Sequence, residues 1–383
     1  MKKQPLTIEI HGTGTHNRGA ELMAIAIADR LRTSFPGVRI VVPFGFGDFE
    51  ARARHGFWTT WEFSRRWQTR ISAKWIQHHS PGIEEASGIV DPASIDVVLD
   101  ASGFAFSDKW GPQSARHLLK KMTRGGRVGK PLLLLPQAFG PFRNPELARA
   151  TRQLCERASL VCARDARSRE ELLDLTALPS LRLYPDFTVG VRPLPLSSLR
   201  IPKQFSAVVP NQRMVDKGES GEAYLDFIGR SVRSLEGRGL NPVFLLHDAN
   251  DDRKVVTAMK GRGVNIPVIE HDDARVLKAI LGKATLVIGS RFHALVSTLS
   301  QGLPCIAAGW SHKYPELYAD FGCPELLVSD LQDEALLEAT IDLLATPEKR
   351  AAYRERLQLA ADRIKRQNEA MWTEVEKIIR SRI

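Results

Sequence analysis

Short apolar runs recur along the chain, each broken by glycine, serine or proline and then followed by apolar residues at helical spacing. Residues 6–10, 38–43, 95–101, 131–136 and 160–163 read as strands of the nearly continuous hydrophobic kind found in buried parallel sheets. The rhythm repeats at 207–210, 241–246, 268–269, 285–288 and 304–308. Helical spacing is clearest over 21–32, 273–281, 292–300, 333–344 and a long polar stretch, 347–380. The last carries an apolar stripe of Leu357, Ala361, Ile364, Met371, Val375 and Ile378. Strand and helix in alternation predict an α/β fold with parallel sheets. Residues 192–202, R-P-L-P-L-S-S-L-R-I-P, are proline-rich and aperiodic, and read as a linker. The expected organisation is therefore a Rossmann-like domain over 1–192, a linker over 193–204 and a second Rossmann-like domain over 205–346. A C-terminal helix over 347–383 would cross back onto the first domain.

Chemistry concentrates in residues 285–314, T-L-V-I-G-S-R-F-H-A-L-V-S-T-L-S-Q-G-L-P-C-I-A-A-G-W-S-H-K-Y. This is strand, turn, helix, strand at the spacing of a βαβ unit. Such units bind ligands outside the carboxyl ends of their strands. Arg291 and His293 fall at that place. A helix N-terminus offers free N–H groups to an anion, arginine adds a bidentate charge, and histidine adds a proton donor or acceptor near neutral pH. Arg291 can instead pair with a neighbouring carboxylate, and His293 can be a satisfied histidine at a helix start.

Other strand ends carry similar groups. Residues 11–20, H-G-T-G-T-H-N-R-G-A, form a glycine-rich loop between the first strand and its helix. The dinucleotide fingerprint G-x-G-x-x-G is absent, and no acidic residue closes the second strand to hold a ribose, so NAD is excluded. Asn17 can cap a tight turn there. Asp100 and Gly103 follow the strand at 95–101; Asp100 is a base or a strand-end carboxylate. Gln137 ends the leucine-rich strand, and Arg164 precedes an Asp165 or Ser168 helix cap. Arg213 is a further anion candidate. His247, Asp248, Asp251 and Asp252 lie close in sequence, but hard metals want a closed oxygen-rich loop with glycine, so no metal is expected.

The formal charge of +10 points to anionic partners such as phosphorylated metabolites, acidic glycans or an anionic membrane surface. No nucleic-acid motif or long basic run accompanies it, and no nucleic acid is expected. No apolar run reaches membrane-spanning length. The opening M-K-K-Q-P-L-T-I-E-I reads as a first strand rather than a signal peptide. Cys155, Cys162, Cys305 and Cys323 show no C-x-x-C spacing, which fits a reduced cytoplasmic interior without zinc. Residues 57–79 interleave Trp58, Trp61, Trp67 and Trp75 with Arg65, Arg66, Arg70, Lys74, His78 and His79. That mixture suits sugar stacking or a membrane interface, and equally an amphipathic helix packed on the sheet.

The segment G-S-R-F-H-A, followed by G-L-P and by Lys313 in S-H-K-Y, resembles the polysaccharide pyruvyl transferase family, whose signature is an R-x-H-A turn, a G-x-P strand and a lysine. N-R-G-A-E at 17–21 is similar to that family's N-x-G-[D/A] loop. Q-A-F-G-P-F at 137–142 resembles its G-Q-S-I-G-P-F, and R-D-A-R-S at 164–168 matches its R-D-x-x-S. S-G-F at 102–104 is a partial match to its glycine-rich turn. Y-P-D-F at 184–187 resembles its D-P-x-F with the proline moved ahead of the aspartate. The resemblance spans about residues 6–325 and leaves out the tryptophan-rich segment and the last helix.

It implies a GT-B-like pair of Rossmann-like domains facing a cleft, with the acceptor on the N-terminal side and the donor on the C-terminal side. The implied reaction moves pyruvate from phosphoenolpyruvate to two hydroxyls of one sugar, forming a ketal in cell-surface glycan synthesis. Arg164 and Arg291 would grip the donor's two anionic ends, Lys313 would steady the phosphate, and His293 would be the general acid. Asp100 or His247 would be the base. Asn17, Gly19, Gly103 and Gln137 would line the site, with no metal and no cofactor. The acceptor would be a nucleotide-linked or lipid-linked saccharide or a growing polysaccharide, handled at the inner face of a membrane. An alternative is a GT-B glycosyltransferase or sugar-nucleotide epimerase using a UDP-sugar, with Glu316 on the ribose. A non-catalytic glycan- or lipid-binding module is a third.

Overall fold

The computed structural model describes residues 5–60, 87–123, 126–196, 199–217, 220–309 and 311–381. Most of the tryptophan-rich segment, including Trp61, Trp67, Trp75 and its basic residues, lies outside them. Two compact units emerge: residues 1–16, 23–186 and 369–383, and residues 17–22 with 187–368.

Among the described residues, the first unit is built on an eight-stranded sheet in the order β4-β3-β2-β1-β5-β6-β7-β8. The strands are β1 (Thr7–His11), β2 (Arg39–Val42), β3 (Trp58–Thr60), β4 (Ile89–Val90), β5 (Val97–Asp100), β6 (Leu132–Gln137), β7 (Leu160–Ala163) and β8 (Leu181–Leu183). Every pairing is parallel. The central strands β1, β5, β6 and β7 are buried along their whole length, which is why β6 and β7 read as mostly apolar runs. Chain order reverses between β1 and β5, so their carboxyl ends form the switch point of this sheet. The helix Pro145–Arg157 starts at Asn144, whose side chain accepts from the amides of Glu146 and Leu147, with proline at the first helical position. The helix Ala166–Leu175 starts at Asp165, which accepts from Ser168 N at 2.7 Å. Val98, Phe106, Leu134, Leu147, Leu154 and Leu172 fill one side of the sheet.

Among the described residues, the second unit carries a six-stranded parallel sheet in the order β11-β10-β9-β12-β13-β14. Its strands are β9 (Ser206–Val209), β10 (Pro242–Leu246), β11 (Val268–Glu270), β12 (Leu286–Gly289), β13 (Cys305–Ala308) and β14 (Leu327–Val328). Here the switch point lies between β9 and β12. The expected linker is not an open tether. Leu196, Leu199 and Ile201 pack on this unit's core, and Leu194 N bonds Arg275 O. Buried Lys278 donates to Thr188 O at 3.0 Å, so the chain joins the second unit from Phe187 onward, ahead of the expected 192.

Two helices differ from expectation. The first runs Arg18–Ser34, a turn earlier than expected, because Asn17 Oδ1 accepts from Gly19 N at 2.8 Å and fixes the start. In the last, Pro347–Arg380, the buried stripe ends at Val375 and Ile379 with Trp372 added, and Ile378 is only half-buried. Among the described residues, no helix is long and apolar enough to cross a membrane. All four cysteines are buried free thiols.

Candidate active site

The switch point of the second sheet gathers the polar groups that its apolar strands exclude. Asn211 follows β9 and donates from Nδ2 to Ser290 O beyond β12 at 2.7 Å, tying the two strand ends together. Tyr314 donates to the same carbonyl at 2.8 Å. Arg291 is the next residue, 7% exposed, and opens the helix Phe292–Leu299. Its Nε lies 2.9 and 3.1 Å from the two oxygens of Asp252, which is fully buried. Asp248 Oδ2 is 3.5 Å from its Nη2. Burial opposes the charge on Arg291, but Asp252 and then Asp248 outweigh it and raise the guanidinium above its ordinary range. Asp252 also accepts the amides of Gln212 and Asp248 at 3.0 Å. Arg291 therefore pairs with a carboxylate along one edge of its fork. Nη1 makes no hydrogen bond among the described residues.

His293 sits one residue inside that helix, with Phe292 edge-on to it at 5.5 Å. Residues 17–22 belong to this same unit and press against it. A Cβ on Gly19 would lie 2.2 Å from His293 Nδ1 and 2.7 Å from Cγ. Only glycine allows that approach. Gly19→Ala must push the imidazole aside, and turnover is expected to fall roughly 10²-fold with little change in melting temperature. Wild-type turnover in that variant would show that the position of the ring does not matter.

His247 follows β10 and is 2% exposed. Burial first, then the positive charges of Arg291, His293 and Arg18, hold its imidazole well below the ordinary range. It is neutral at physiological pH. The unfolded chain takes up a proton at this residue below about pH 6.5 while the folded chain does not. Stability is thus expected to fall as pH drops through that value. His247→Gln should flatten the slope of melting temperature between pH 7.5 and about 5.5. An unchanged slope would contradict the burial of a neutral imidazole here.

Arg18, Lys313 and Arg213, also in this unit, are more exposed than Arg291. Arg18 donates to Glu21 at 2.7 Å and to Asp272 at 3.1 Å. Lys313 Nζ lies 5.0 Å from the Phe292 ring centroid, a cation–π distance beside His293's own helix. Arg213 reaches Asp251 at 3.5 Å and Asp216 at 3.8 Å, about 40% exposed. Asn17 spends its carbonyl oxygen on the turn.

The remaining expected residues lie in the first unit. Asp100 ends β5, is 1% exposed, and accepts from Ser102 Oγ at 2.8 Å, Ser102 N at 3.3 Å and Gln137 Nε2 at 2.9 Å. Both oxygens of this strand-end carboxylate are therefore engaged. Gln137, expected to line the site, is fully buried and donates to Asp100. Gly103 has φ +70°, a conformation that favours glycine. Arg164 is buried and donates to Asp186 at 3.1 Å. The two arginines expected to grip one donor thus belong to different units.

Among the described residues, no group of three or more His, Cys, Asp or Glu is placed to share a metal ion. Asp252 and Asp248, legible as metal ligands, serve Arg291 and the start of the helix Ala249–Gly261. Arg18 and Asn211 are site residues that sequence reading left out. Arg18 stood inside the N-R-G-A-E run, but nothing local placed it beside His247.

Comparison with known proteins fixes the class and then the family. The fold is that of GT-B glycosyltransferases and related epimerases. The S. aureus MnaA–UDP structure superposes with a TM-score of 0.58 at 13% identity, covering 94% of this chain and 95% of that one. A UDP-GlcNAc 2-epimerase from Methanocaldococcus jannaschii gives 0.55 at 11% identity over 90% and 94%. Anabaena HepE in complex with UDP and glucose gives 0.57 at 11% over 97% and 99%. The polysaccharide pyruvyl transferase family model matches residues 17–312. The chain belongs to that family. It is 22% identical over 272 residues to the amylovoran biosynthesis protein AmsJ of Erwinia amylovora, a match spanning 64% of this chain and 63% of that protein.

Proposed function

We propose that the protein transfers pyruvate from phosphoenolpyruvate to two hydroxyls of a saccharide, forming a cyclic ketal in polysaccharide biosynthesis. The observation that carries this reading is the switch point of the second sheet. There the family's R-x-H-A turn sets His293 at a helix start, against the backbone of Gly19 and among Arg18, Arg291 and Lys313. Phosphoenolpyruvate is a compact trianion, and three cations with a helix N-terminus suit it. In this reading the free edge of Arg291 meets the donor while Asp252 holds the other edge still. His293 protonates the methylene carbon, which makes the adjacent carbon electrophilic. Arg164, Gln137 and Gly103 belong to the acceptor side, where they shape the loops beyond β6, β7 and β5. The acceptor is a nucleotide-linked or lipid-linked saccharide or a growing polysaccharide, and no cofactor is required. The net positive charge favours action near an anionic membrane surface.

Thermal stability with phosphoenolpyruvate tests donor binding. A ligand at ~100 times its dissociation constant adds about 2.7 kcal/mol. The expected result is a rise with phosphoenolpyruvate that is lost in Arg291→Ala at matched folding. A rise with UDP-sugars alone would replace this reading with the glycosyltransferase or epimerase alternative.

A further inference from the structure

The second sheet has two ends, and the R-x-H-A turn uses only the carboxyl one. At the amino end, Gln204 and Asn241 stand just ahead of β9 and β10, and Lys283 stands ahead of β12. They line one cleft with Gly239, Arg350 and Arg354. Its volume is about 410 Å³, a size suited to a small molecule. Every residue lining it belongs to the second unit. Because β9 and β12 are four residues long, about 13 Å of strand separates this cleft from Arg291 and His293.

Among the described residues, three cations line the cleft and no carboxylate does. Arg350 and Arg354 are four apart on the helix Pro347–Arg380, so they share a face and repel. Burial first, then Arg354, lowers the Arg350 guanidinium from its ordinary range, and Glu348 offsets only part of this. Neighbouring arginines are neutralised. Arg238, beside Gly239, lies 2.8 Å from Glu338 and 2.6 Å from Asp342, and Arg356 pairs with Glu325. By contrast, the side chains of Lys283 and Arg354 make no hydrogen bond or ion pair among the described residues. Arg350 donates only through Nη1, to Leu344 O at 2.8 Å and Ala345 O at 2.9 Å. Those bonds hold its fork still and leave Nε and Nη2 for a ligand. Arginine forks match phosphate oxygens in pairs, and lysine adds a point charge. Gln204 and Asn241 carry amide donors and acceptors for the rest of a ligand.

We propose that this cleft is a second anion site, which binds a phosphorylated ligand through Lys283, Arg350 and Arg354. Its occupant relieves the repulsion among the three cations and does not enter the pyruvyl-transfer site.

Calorimetry on the full chain with inorganic diphosphate as probe tests this. Arg350 is kept, since it also closes the helix Glu334–Asp342. Lys283 and Arg354 are exposed and can be removed. Lys283→Ala with Arg354→Ala should lose one bound diphosphate, or hold it roughly 10- to 100-fold more weakly, at an unchanged melting temperature. A control, Arg152→Ala with Lys260→Ala, removes the same charge from exposed positions elsewhere and should bind as the wild type does. Absence of diphosphate binding in the wild type, unchanged binding in the first double variant, or an equal loss in the control would each overturn the proposal. Flotation with vesicles containing phosphatidic acid separates the two sources of phosphate. Recruitment of the wild type but not of the first double variant supports a lipid headgroup in the cleft. Diphosphate binding without recruitment supports a soluble phosphorylated metabolite.

Discussion

His293→Ala is expected to bind phosphoenolpyruvate as the wild type does and to lose about 10²- to 10⁴-fold in turnover. The reasoning starts from position. The ring sits at the start of the helix Phe292–Leu299, edge-on to Phe292, with the Gly19 backbone pressed against it. A side chain held that closely suits proton delivery better than loose electrostatic binding. Donor affinity would come mainly from Arg18, Arg291 and Lys313, which the substitution leaves in place. Calorimetry and phosphate release on the same preparation separate the two effects. Equal losses in affinity and turnover would make His293 a binding group, and full turnover would remove it from the chemistry.

Asp252→Ala is expected to destabilise the fold by about 3–5 kcal/mol, because it strands the buried guanidinium of Arg291. Asp252 is fully buried and also accepts the amides of Gln212 and Asp248, so the loops after β9 and β10 lose anchors together. Chemical denaturation measures this directly. Replacing both partners, Asp252→Leu with Arg291→Met, should recover much of the stability while abolishing donor binding. A single variant as stable as the wild type would mean that the pair is not buried in solution.

The strands were legible because both sheets are parallel and covered on both faces, so β6 and β12 appear as bare apolar runs. The strand ends were legible too, since glycine, serine and charged residues interrupt those runs. Partnership was not. Arg291 and Asp252 are 39 positions apart, and their pairing depends on β10 and β12 flanking β9. Gln137 and Asp100 were each visible as strand-end polar groups, but their mutual bond depends on β5 lying beside β6. Glu9 was hidden for a different reason. Nothing near it in sequence announces Arg127, 118 positions away, which with His11 makes its burial tolerable. Gly19 was marked as a ligand-facing glycine, yet its smallness serves His293 directly.

The central claim is that phosphoenolpyruvate gives up its pyruvyl group to a sugar. The most direct measurement supplies phosphoenolpyruvate labelled with carbon-13 at the phosphate-bearing carbon, together with a panel of UDP-linked and lipid-linked saccharides, and follows the label by NMR. The account predicts that the signal moves to that of a ketal carbon on a saccharide as one phosphate is released per pyruvyl group. Label that stays in phosphoenolpyruvate while a UDP-sugar is consumed would contradict it.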